Sequence, residues 1–261
     1  MSWAGGGFGE RARCVLAPNA NVMTLDGTNT WVLREPGSSR SVVVDPGPET
    51  ASHLDAVAEV AGDVRLVLLT HGHLDHSEAA RSFAERMRCG VRALDARHRL
   101  GDEGLGDGDV VEVDGLEIRV VGTPGHTSDS LSFVLPAERA VLTGDTVLGR
   151  GTTVVAHPDG RLGAYLDSLH RLRALAEAEE VTVVWPGHGP VLDDALGTLE
   201  FYLAHRKQRL DQVREALGGF GDQPVDELPR KVVEAVYADV DPVLWGAAEL
   251  SVRAQIDYLR G

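Results

Sequence analysis

Short apolar segments alternate with glycine-rich turns along the first 199 residues. The apolar segments are rich in valine and leucine and about four to six residues long, which is typical of buried strands. They predict strands at Thr30–Arg34, Ser41–Asp45, Arg65–Thr70, Gly90–Ala93, Asp109–Val113, Leu116–Val121, Ser130–Leu135, Ala140–Thr143 and Val181–Trp185. The dipeptides Asp26-Gly27 and Asp114-Gly115 predict hairpin turns.

Apolar residues at helical spacing predict four helices among these strands, at Ser52–Ala61, Ser77–Arg88, Leu162–Ala178 and Asp194–Gly218. Many of the strands follow one another directly, which favours hairpins over a purely parallel sheet. We therefore expect residues 1–199 to form one layered α/β domain, in which helices cover the sheets.

The pattern changes after Gly218, where glycine and proline punctuate residues 218–229. Two short helices are predicted beyond this stretch, at Pro229–Tyr237 and Ala247–Arg260. Residues 200–261 are therefore expected to form a helical linker and tail, which is too short to be assigned as an independent domain.

Composition limits the class of protein. The chain has 261 residues, of which 43% are hydrophobic, so it can bury a sizeable core and extensive disorder is excluded. Apolar runs such as Val64–Thr70 are far shorter than the roughly 20 residues that span a bilayer, and the N-terminal residues lack the apolar centre of a secretory signal. Two cysteines, Cys14 and Cys89, cannot build a disulfide framework. We expect a cytoplasmic protein without membrane contact and without a disulfide-linked partner.

Histidine and aspartate recur in tight turns directly after four apolar strands. The four segments are Thr70–His76, Thr123–His126, Thr143–Asp145 and Pro186–Pro190, and the first contains the pattern His-x-His-x-Asp-His. Imidazole nitrogens and carboxylate oxygens are ligands of divalent zinc, and ligands from separate strand ends can converge on one point. The candidate metal ligands are His71, His73, Asp75, His76, His126, Asp145 and His188.

Seven candidate ligands exceed what one tetrahedral ion can use. Two ions are therefore expected, bridged by a carboxylate and by water or hydroxide that acts as the nucleophile. A surface or core role is the better interpretation for isolated histidines such as His53, His98 and His170. The combined pattern of the seven residues favours a metal site. Zinc is the expected metal, while manganese and iron remain open.

These motifs resemble the metallo-β-lactamase superfamily across the first 200 or so residues. The resemblance implies an αββα sandwich with a dinuclear zinc site at one edge. The first ion would be held by His71, His73 and His126, and the second by Asp75, His76 and His188. Asp145 would bridge the two ions, and Asp75 would also be catalytic by steering the proton of the hydroxide. Asp45 would orient the site without binding metal.

Further motifs resemble the β-lactamase-like protein 2 group within this superfamily. They lie at Met23–Trp31, Gly144–Thr153, Trp185–Pro190 and His205-Arg206. This resemblance implies a short winged-helix tail and cleavage of single-stranded RNA, while relatives similar to glyoxalase II act on thioesters. It also suggests substrate contacts for Asn29, Thr30, Arg150 and Arg206. A turn role for Asn29, and solvation or ion pairing for the arginines, are the alternatives.

The tail and the charge bear on the substrate. Residues 200–261 contain 8 Lys and Arg against 11 Asp and Glu, and the β-hairpin wing expected after the last helix is missing before Gly261. The net charge of −15 disfavours a long nucleic-acid footprint. The leading hypothesis is a dinuclear zinc phosphodiesterase acting on RNA, and the alternative is a thioesterase with the same metal site. A non-catalytic binding module would be expected to have lost some of the metal ligands. All seven candidates are present, so this class is disfavoured.

Overall fold

Two sheets form the centre of the protein, and the first contains six strands. The computed structural model describes residues 3–220, 227–238 and 240–261. The strands of the first sheet, which lie side by side in chain order, are β1 (Gly6–Phe8), β2 (Ala12–Leu16), β3 (Asn29–Leu33), β4 (Arg40–Val44), β5 (Asp63–Leu68) and β6 (Gly90–Arg92). Strands β1 to β4 pair antiparallel, whereas β4, β5 and β6 are parallel. Parallel neighbours require crossover connections, which helices provide here.

The second sheet contains five strands in the order β11-β10-β9-β8-β7. Its strands are β7 (Val110–Val113), β8 (Leu116–Gly122), β9 (Leu131–Leu135), β10 (Ala140–Gly144) and β11 (Val183–Pro186). All pairs are antiparallel except β10 and β11. Asp114 and Gly115 form the predicted turn between β7 and β8, and both have the positive φ, 51° and 95°, that a type I′ turn requires.

Helices cover the outer face of each sheet. The first sheet carries α1 (Ala51–Ala61), the single turn α2 (Leu74–Ser77) and α3 (Ala80–Met87), and the second carries α4 (Leu162–Glu177) and α5 (Ala195–Phe220). Val43 of β4 packs in the outer cluster with Phe83, while Val42 and Val44 face the second sheet. This alternation is the two-residue period of a strand buried on both faces. The layers are therefore α, β, β, α, and the predicted α/β sandwich is confirmed.

The space between the sheets is filled by large side chains from both of them. Trp31 of β3 stacks on Trp185 of β11 with ring centroids 5.1 Å apart, and both indoles are buried. Phe133 and Leu68 belong to the same cluster. Stacked aromatic rings in a dry core contribute beyond their buried area, so these strands hold the two sheets in a fixed relation.

The tail consists of the second half of α5 with α6 (Leu228–Val236) and α7 (Trp245–Arg260). Val213, Val232 and Val252 are fully buried in its small core. Helix α5 runs without a break through the expected boundary at residues 199 and 200, because Leu199 and Tyr202 pack on the second sheet while Val213 packs in the tail. Part of the glycine- and proline-punctuated stretch, residues 221–226, lies outside the described residues.

Three local predictions differ from the structure. Strands β1 and β2 were not predicted, because glycine and arginine interrupt their apolar pattern. The helix expected at 77–88 consists of the turn α2 and the helix α3, separated at Glu78 and Ala79. Asp26-Gly27 is not a hairpin turn, since it lies inside the long connection between Leu16 and Asn29. Across the described ranges no helix is both long and apolar enough to cross a membrane.

Candidate metal centre

The predicted ligands meet at one edge of the sandwich. His71 follows β5, Asp145 follows β10 and His188 follows β11. Strand β5 is parallel to its neighbour β4, and β10 is parallel to β11, so the carboxyl ends within each sheet point the same way. His126 follows β8, which runs in the same direction as β10 because both are antiparallel to β9. Residues far apart in the sequence therefore lie side by side, as His76 and His188 do across 112 residues.

A first group contains His71, His73 and His126. Nδ1 of His73 lies 3.1 Å from Nε2 of His71 and 3.0 Å from Nε2 of His126. One ring nitrogen from each residue lies within 4.8 Å of those of the other two. Three imidazoles that converge in this way provide a face of a tetrahedral metal site.

A second group contains Asp75, His76 and His188. Nε2 of His188 lies 3.2 Å from Nε2 of His76 and 3.1 Å from Oδ2 of Asp75. Oδ2 of Asp75 is 3.6 Å from Nε2 of His76. His76 and His188 are buried, while the Asp75 side chain is 29% exposed and faces the open side of the site.

Asp145 lies between the two groups. Its Oδ1 is 3.3 Å from Nε2 of His76 and 3.4 Å from Nε2 of His188, while its Oδ2 is 3.7 Å from Nε2 of His126. Asp145 also forms a possible three-ligand group with His71 and His76. A carboxylate with one oxygen toward each group has the position of a bridging ligand.

Contacts to the backbone and to one further aspartate orient the rings. Asp45 lies directly after β4 in the left-handed region, with φ 51°, and its carboxylate accepts a hydrogen bond from Nδ1 of His76 at 2.8 Å. Nδ1 of His126 donates to the carbonyl of Val154 at 2.6 Å, and Nδ1 of His188 donates to that of Gly27 at 3.1 Å. In each case Nδ1 is the donor, so Nε2 is the nitrogen that can offer its lone pair to a metal.

The local electrostatics set the protonation of the cluster. Burial disfavours the charged form of His76, but Asp145, Asp75 and Asp45 outweigh it and hold its pKa well above the ordinary value. Burial likewise opposes the charge on His188, whereas Asp145 and Asp75 raise its pKa to about 9. The pKa of Asp145 is held well below the ordinary value against its burial by His188 and His76. Without metal, protons on the two histidines therefore balance the carboxylates.

Burial dominates the pKa of two histidines of the first group, His71 and His126. It lowers the pKa of His71 well below the ordinary value, and the neighbouring His76 adds to this effect. Burial also lowers the pKa of His126, against the attraction of Asp145. Both rings are therefore neutral at pH 7, which is the state that binds a metal ion.

The residues present fit a pair of divalent cations. Three ring-nitrogen pairs approach to between 3.0 and 3.2 Å, and in a cluster this dense protons cannot satisfy all of them at once. Oδ1 of Asp145 is buried and accepts no hydrogen bond of acceptable geometry. Neutral imidazoles, two carboxylates and an orphaned carboxylate oxygen form a donor set suited to zinc.

Two of the predicted substrate residues hold the scaffold together. Asn29 is fully buried, and its amide nitrogen donates to the carbonyls of Pro186 at 2.9 Å and Gly189 at 2.8 Å. Thr30 is also buried, and its hydroxyl donates to the carbonyl of Asp45 at 2.7 Å. The polar atoms of both side chains fix the strand ends on which the site is built. Their role as substrate contacts stays a prediction.

The two predicted arginines lie beside the centre. Arg150 is half-exposed and forms an ion pair with Asp26 at 2.5 Å. Arg206 is only 5% exposed and donates to the carbonyl of Thr153. Both line a cavity that opens next to His126 and Asp145.

This tail cavity has a volume of about 350 Å³ and lies between the second sheet's edge and the tail. Its apolar walls come from the loop after β2, the segment after β10 and the tail, at Val22, Met23, Leu25, Leu148, Val154, Val240, Leu244 and Ala248. His205, Arg206 and Arg209 reach it from α5. The motifs Met23–Trp31, Gly144–Thr153 and His205-Arg206 each contribute residues to this cavity, but they meet only through the packing of the tail.

An αββα sandwich with a histidine and aspartate cluster at its strand ends defines a hydrolase whose site can bind metal. The family model described as the metallo-beta-lactamase superfamily matches residues 23–188. The chain belongs to this superfamily.

Curated relatives span most of the chain. It is 30% identical to a beta-lactamase-like protein 2 homolog of Drosophila melanogaster, over 94% of this chain and 86% of that protein. It is 35% identical to an atrochrysone carboxyl ACP thioesterase of Aspergillus fumigatus, over 85% of this chain and 72% of that protein. The crystal structure of a metallo-beta-lactamase family protein from Thermus thermophilus superposes with a TM-score of 0.76 at 23% identity, covering 95% of this chain and 93% of that one. The predicted family and its hydrolase character are confirmed.

Proposed function

We propose that this protein hydrolyses acyl thioesters with the help of two zinc ions. The tail cavity is the observation that carries the proposal. It adjoins His126 and Asp145, and its volume of about 350 Å³ is at the lower end of the range for small-molecule sites. Its walls are largely apolar, as an acyl group requires. The 35% identity to a protein named as a carboxyl ACP thioesterase supports this choice.

Each of the two groups of residues would hold one ion. His71, His73 and His126 would hold one ion, Asp75, His76 and His188 the other, and Asp145 would bridge them. Zinc bound there would lower the pKa of water and polarise the carbonyl group of the substrate.

The protein's own residues orient the centre and move the proton. Asp45 fixes the ring of His76 through Nδ1, and the carbonyl of Val154 fixes that of His126. Asp75 has the more exposed of the two carboxylates, at 29% for its side chain against 13% for Asp145. Asp75 can therefore both bind metal and accept the proton that water loses during hydrolysis.

Cleavage of RNA is the second candidate function. Arg206 lines the tail cavity and offers a cationic group to a phosphate. The 30% identity to the Drosophila beta-lactamase-like protein 2 homolog is compatible with this reading. The net charge of −15 and the apolar walls favour the thioester instead.

Both thiols suit a reducing compartment, and we infer a cytoplasmic location from them. Cys14 is buried and Cys89 half-buried, and neither forms a disulfide. Burial raises the pKa of Cys89 to about 11, so its thiol is largely protonated and unreactive at pH 7.

The test compares substrates on one preparation of zinc-loaded protein. Butyryl thioester and a single-stranded RNA oligonucleotide are incubated in parallel with wild type and with Asp75→Ala, and Asp55→Ala on exposed α1 is the matched control. We expect thioester hydrolysis that is lost in Asp75→Ala, retained in Asp55→Ala and abolished by chelation. RNA cleavage with an intact thioester would overturn the proposal in favour of the second candidate.

A further inference from the structure

Arg206 is a buried cation for which the described chain provides no acidic partner. It is 5% exposed, and no ion pair to it is formed within residues 3–220, 227–238 and 240–261. One guanidinium nitrogen, Nη2, donates to the carbonyl of Thr153, and the plane lies 5.0 Å from the ring centroid of Tyr165. Its Nε is buried without a hydrogen-bond partner. A buried charge without a counter-ion is costly, so the surroundings of Arg206 favour the binding of an anion.

Two short chains of contacts connect Arg206 to the metal centre. Thr153, whose carbonyl accepts from Arg206, has its hydroxyl 3.4 Å from Nδ1 of His126. On the other side, the hydroxyl of Tyr165 donates to the carbonyl of Thr146, the residue after Asp145. Arg206 is therefore one residue removed from His126 and lines the same cavity as His126 and Asp145.

The neighbours of Arg206 in the tail cavity add positive potential and hydrogen-bonding capacity. Arg209 lies on the same face of α5 and stacks on Tyr237, with its guanidinium 4.7 Å from the ring centroid. His205 has a buried Nδ1 without a hydrogen-bond partner. A neutral hydrogen-bond donor would be enough to hold the carbonyl of Thr153. A purely structural role therefore does not explain why the buried residue at position 206 is a cation.

We propose that Arg206 binds a carboxylate on the acyl part of the substrate, which makes carboxylated acyl thioesters the preferred class. This inference rests on the proposed thioester hydrolysis. The thioester carbonyl would lie at the metal centre, and the acyl chain would extend along the apolar wall formed by Leu148 and Val154. Its terminal carboxylate would then reach Arg206, with a charge-assisted hydrogen bond to the orphaned Nε.

Equilibrium binding of a non-reactive product analogue tests this subsite. Glutarate and pentanoate are titrated calorimetrically into the zinc-loaded full chain, since they have the same chain length and differ in the second carboxylate. For wild type we expect glutarate to bind at least about tenfold more tightly, which corresponds to one charge-assisted contact. In Arg206→Met this preference should disappear, and Arg206→Lys should retain part of it.

Arg34 provides a matched control. Its Nη2 also donates to backbone carbonyls, those of Val60 and Ala61, and its Nε is likewise buried without a partner. It follows β3, which is antiparallel to β4, so it lies at the sheet edge opposite the metal centre. Arg34→Met should leave the preference for glutarate unchanged. Circular dichroism verifies that each variant is folded. If Arg206→Met does not fold, the preference of Arg206→Lys for glutarate is compared with that of wild type, and an undiminished preference overturns the subsite.

Each outcome separates the subsite from the function. An equal affinity of wild type for both ligands, or an undiminished preference in Arg206→Met, overturns the subsite. Arg206-dependent binding of inorganic phosphate without a preference for glutarate also overturns it, and assigns the cavity to a phosphate group. The proposed function is measured separately, as kcat/KM for glutaryl and butyryl thioesters. Arg206→Met should lower the ratio of the glutaryl value to the butyryl value about tenfold. If wild type cleaves neither thioester while Arg206-dependent glutarate binding persists, only the thioester function fails.

Discussion

Asp45 joins three parts of the metal centre through one carboxylate. It accepts hydrogen bonds from the backbone nitrogen of Thr70 at 2.8 Å, from the hydroxyl of Thr70 at 2.6 Å and from Nδ1 of His76 at 2.8 Å. The first two contacts place the turn that leads into His71, and the third fixes the ring of a ligand in the second group. A residue outside both groups thus sets the geometry of both.

Replacement of this carboxylate should weaken metal binding without unfolding the protein. Asp45→Asn keeps the shape but removes the charge that supports His76, so we expect the zinc affinity to fall by about 10- to 100-fold. Competition with a chromophoric chelator measures the affinity. Asp55→Asn, on exposed α1, is the control, and an affinity for Asp45→Asn equal to that of the control would contradict the role of Asp45.

The second ligand group should be separable from the first. His188→Gln removes one of the three ligands of the second group and leaves the first group intact, so we expect one zinc per chain where wild type holds two. Metal analysis of the purified proteins measures this ratio. The exposed His170→Gln should retain two, and a variant His188→Gln that also retains two would exclude His188 as a ligand.

Sequence spacing was sufficient to predict the clustering of the histidines and aspartates, but not the surroundings of the predicted substrate residues. His71, His73, Asp75 and His76 lie within six residues, so their proximity is local and visible in the sequence. Asn29 and Thr30 were predicted from their place in a motif, yet they hydrogen-bond to distant backbone such as the carbonyls of Pro186 and Asp45. Whether a polar side chain faces a substrate or the scaffold depends on those partners, which no local pattern reveals.

At the scale of elements, strand ends and one long helix position the site. The apolar strands β4, β5 and β10 were predictable because most of their residues are buried. Strands β1 and β2 were not predictable, because Gly6, Gly7 and Arg13 interrupt the apolar pattern that marks a strand. The long helix α5 covers the second sheet at one end and enters the tail at the other, so it brings Arg206 and Arg209 beside the centre.

The contact between α5 and the segment after β10 should contribute measurably to stability. The hydroxyl of Tyr202 accepts a hydrogen bond from the backbone nitrogen of Leu148 at 2.8 Å in a buried environment. Tyr202→Phe leaves that nitrogen unpaired, and we expect the free energy of unfolding to fall by about 1–3 kcal/mol. Urea denaturation measures the loss. The half-exposed Tyr258→Phe should change it by less than about 0.5 kcal/mol, and equal effects would contradict the role of this hydrogen bond.

At the scale of the whole molecule, titratable groups cluster at the seam, the edge where the two sheets meet. The ligands come from both sheets, with His71 and His76 beside the first and His126, Asp145 and His188 beside the second. Metal bound between them would cross-link the sandwich in addition to serving catalysis. The tail closes the cavity beside this seam, so the proposed selection of substrate would depend on the contacts that pack the tail.

Zinc should therefore stabilise the fold as a whole. A ligand that binds only the native state at 100 times its Kd adds roughly 2.7 kcal/mol, which corresponds to an increase in Tm of about 5–10 °C for a chain of this size. Differential scanning fluorimetry of chelator-treated protein with increasing zinc measures the shift. Magnesium, which prefers all-oxygen ligands, is the control, and an equal shift with both ions would contradict a histidine-based site.

Anomalous diffraction from zinc-loaded crystals tests the central claim most directly, because it locates the metal without reference to activity. We predict two zinc peaks in each chain, one among His71, His73 and His126 and the other among Asp75, His76 and His188, with Asp145 contacting both. A single peak in the cluster, or peaks only elsewhere on the protein, would contradict the account of a dinuclear hydrolase.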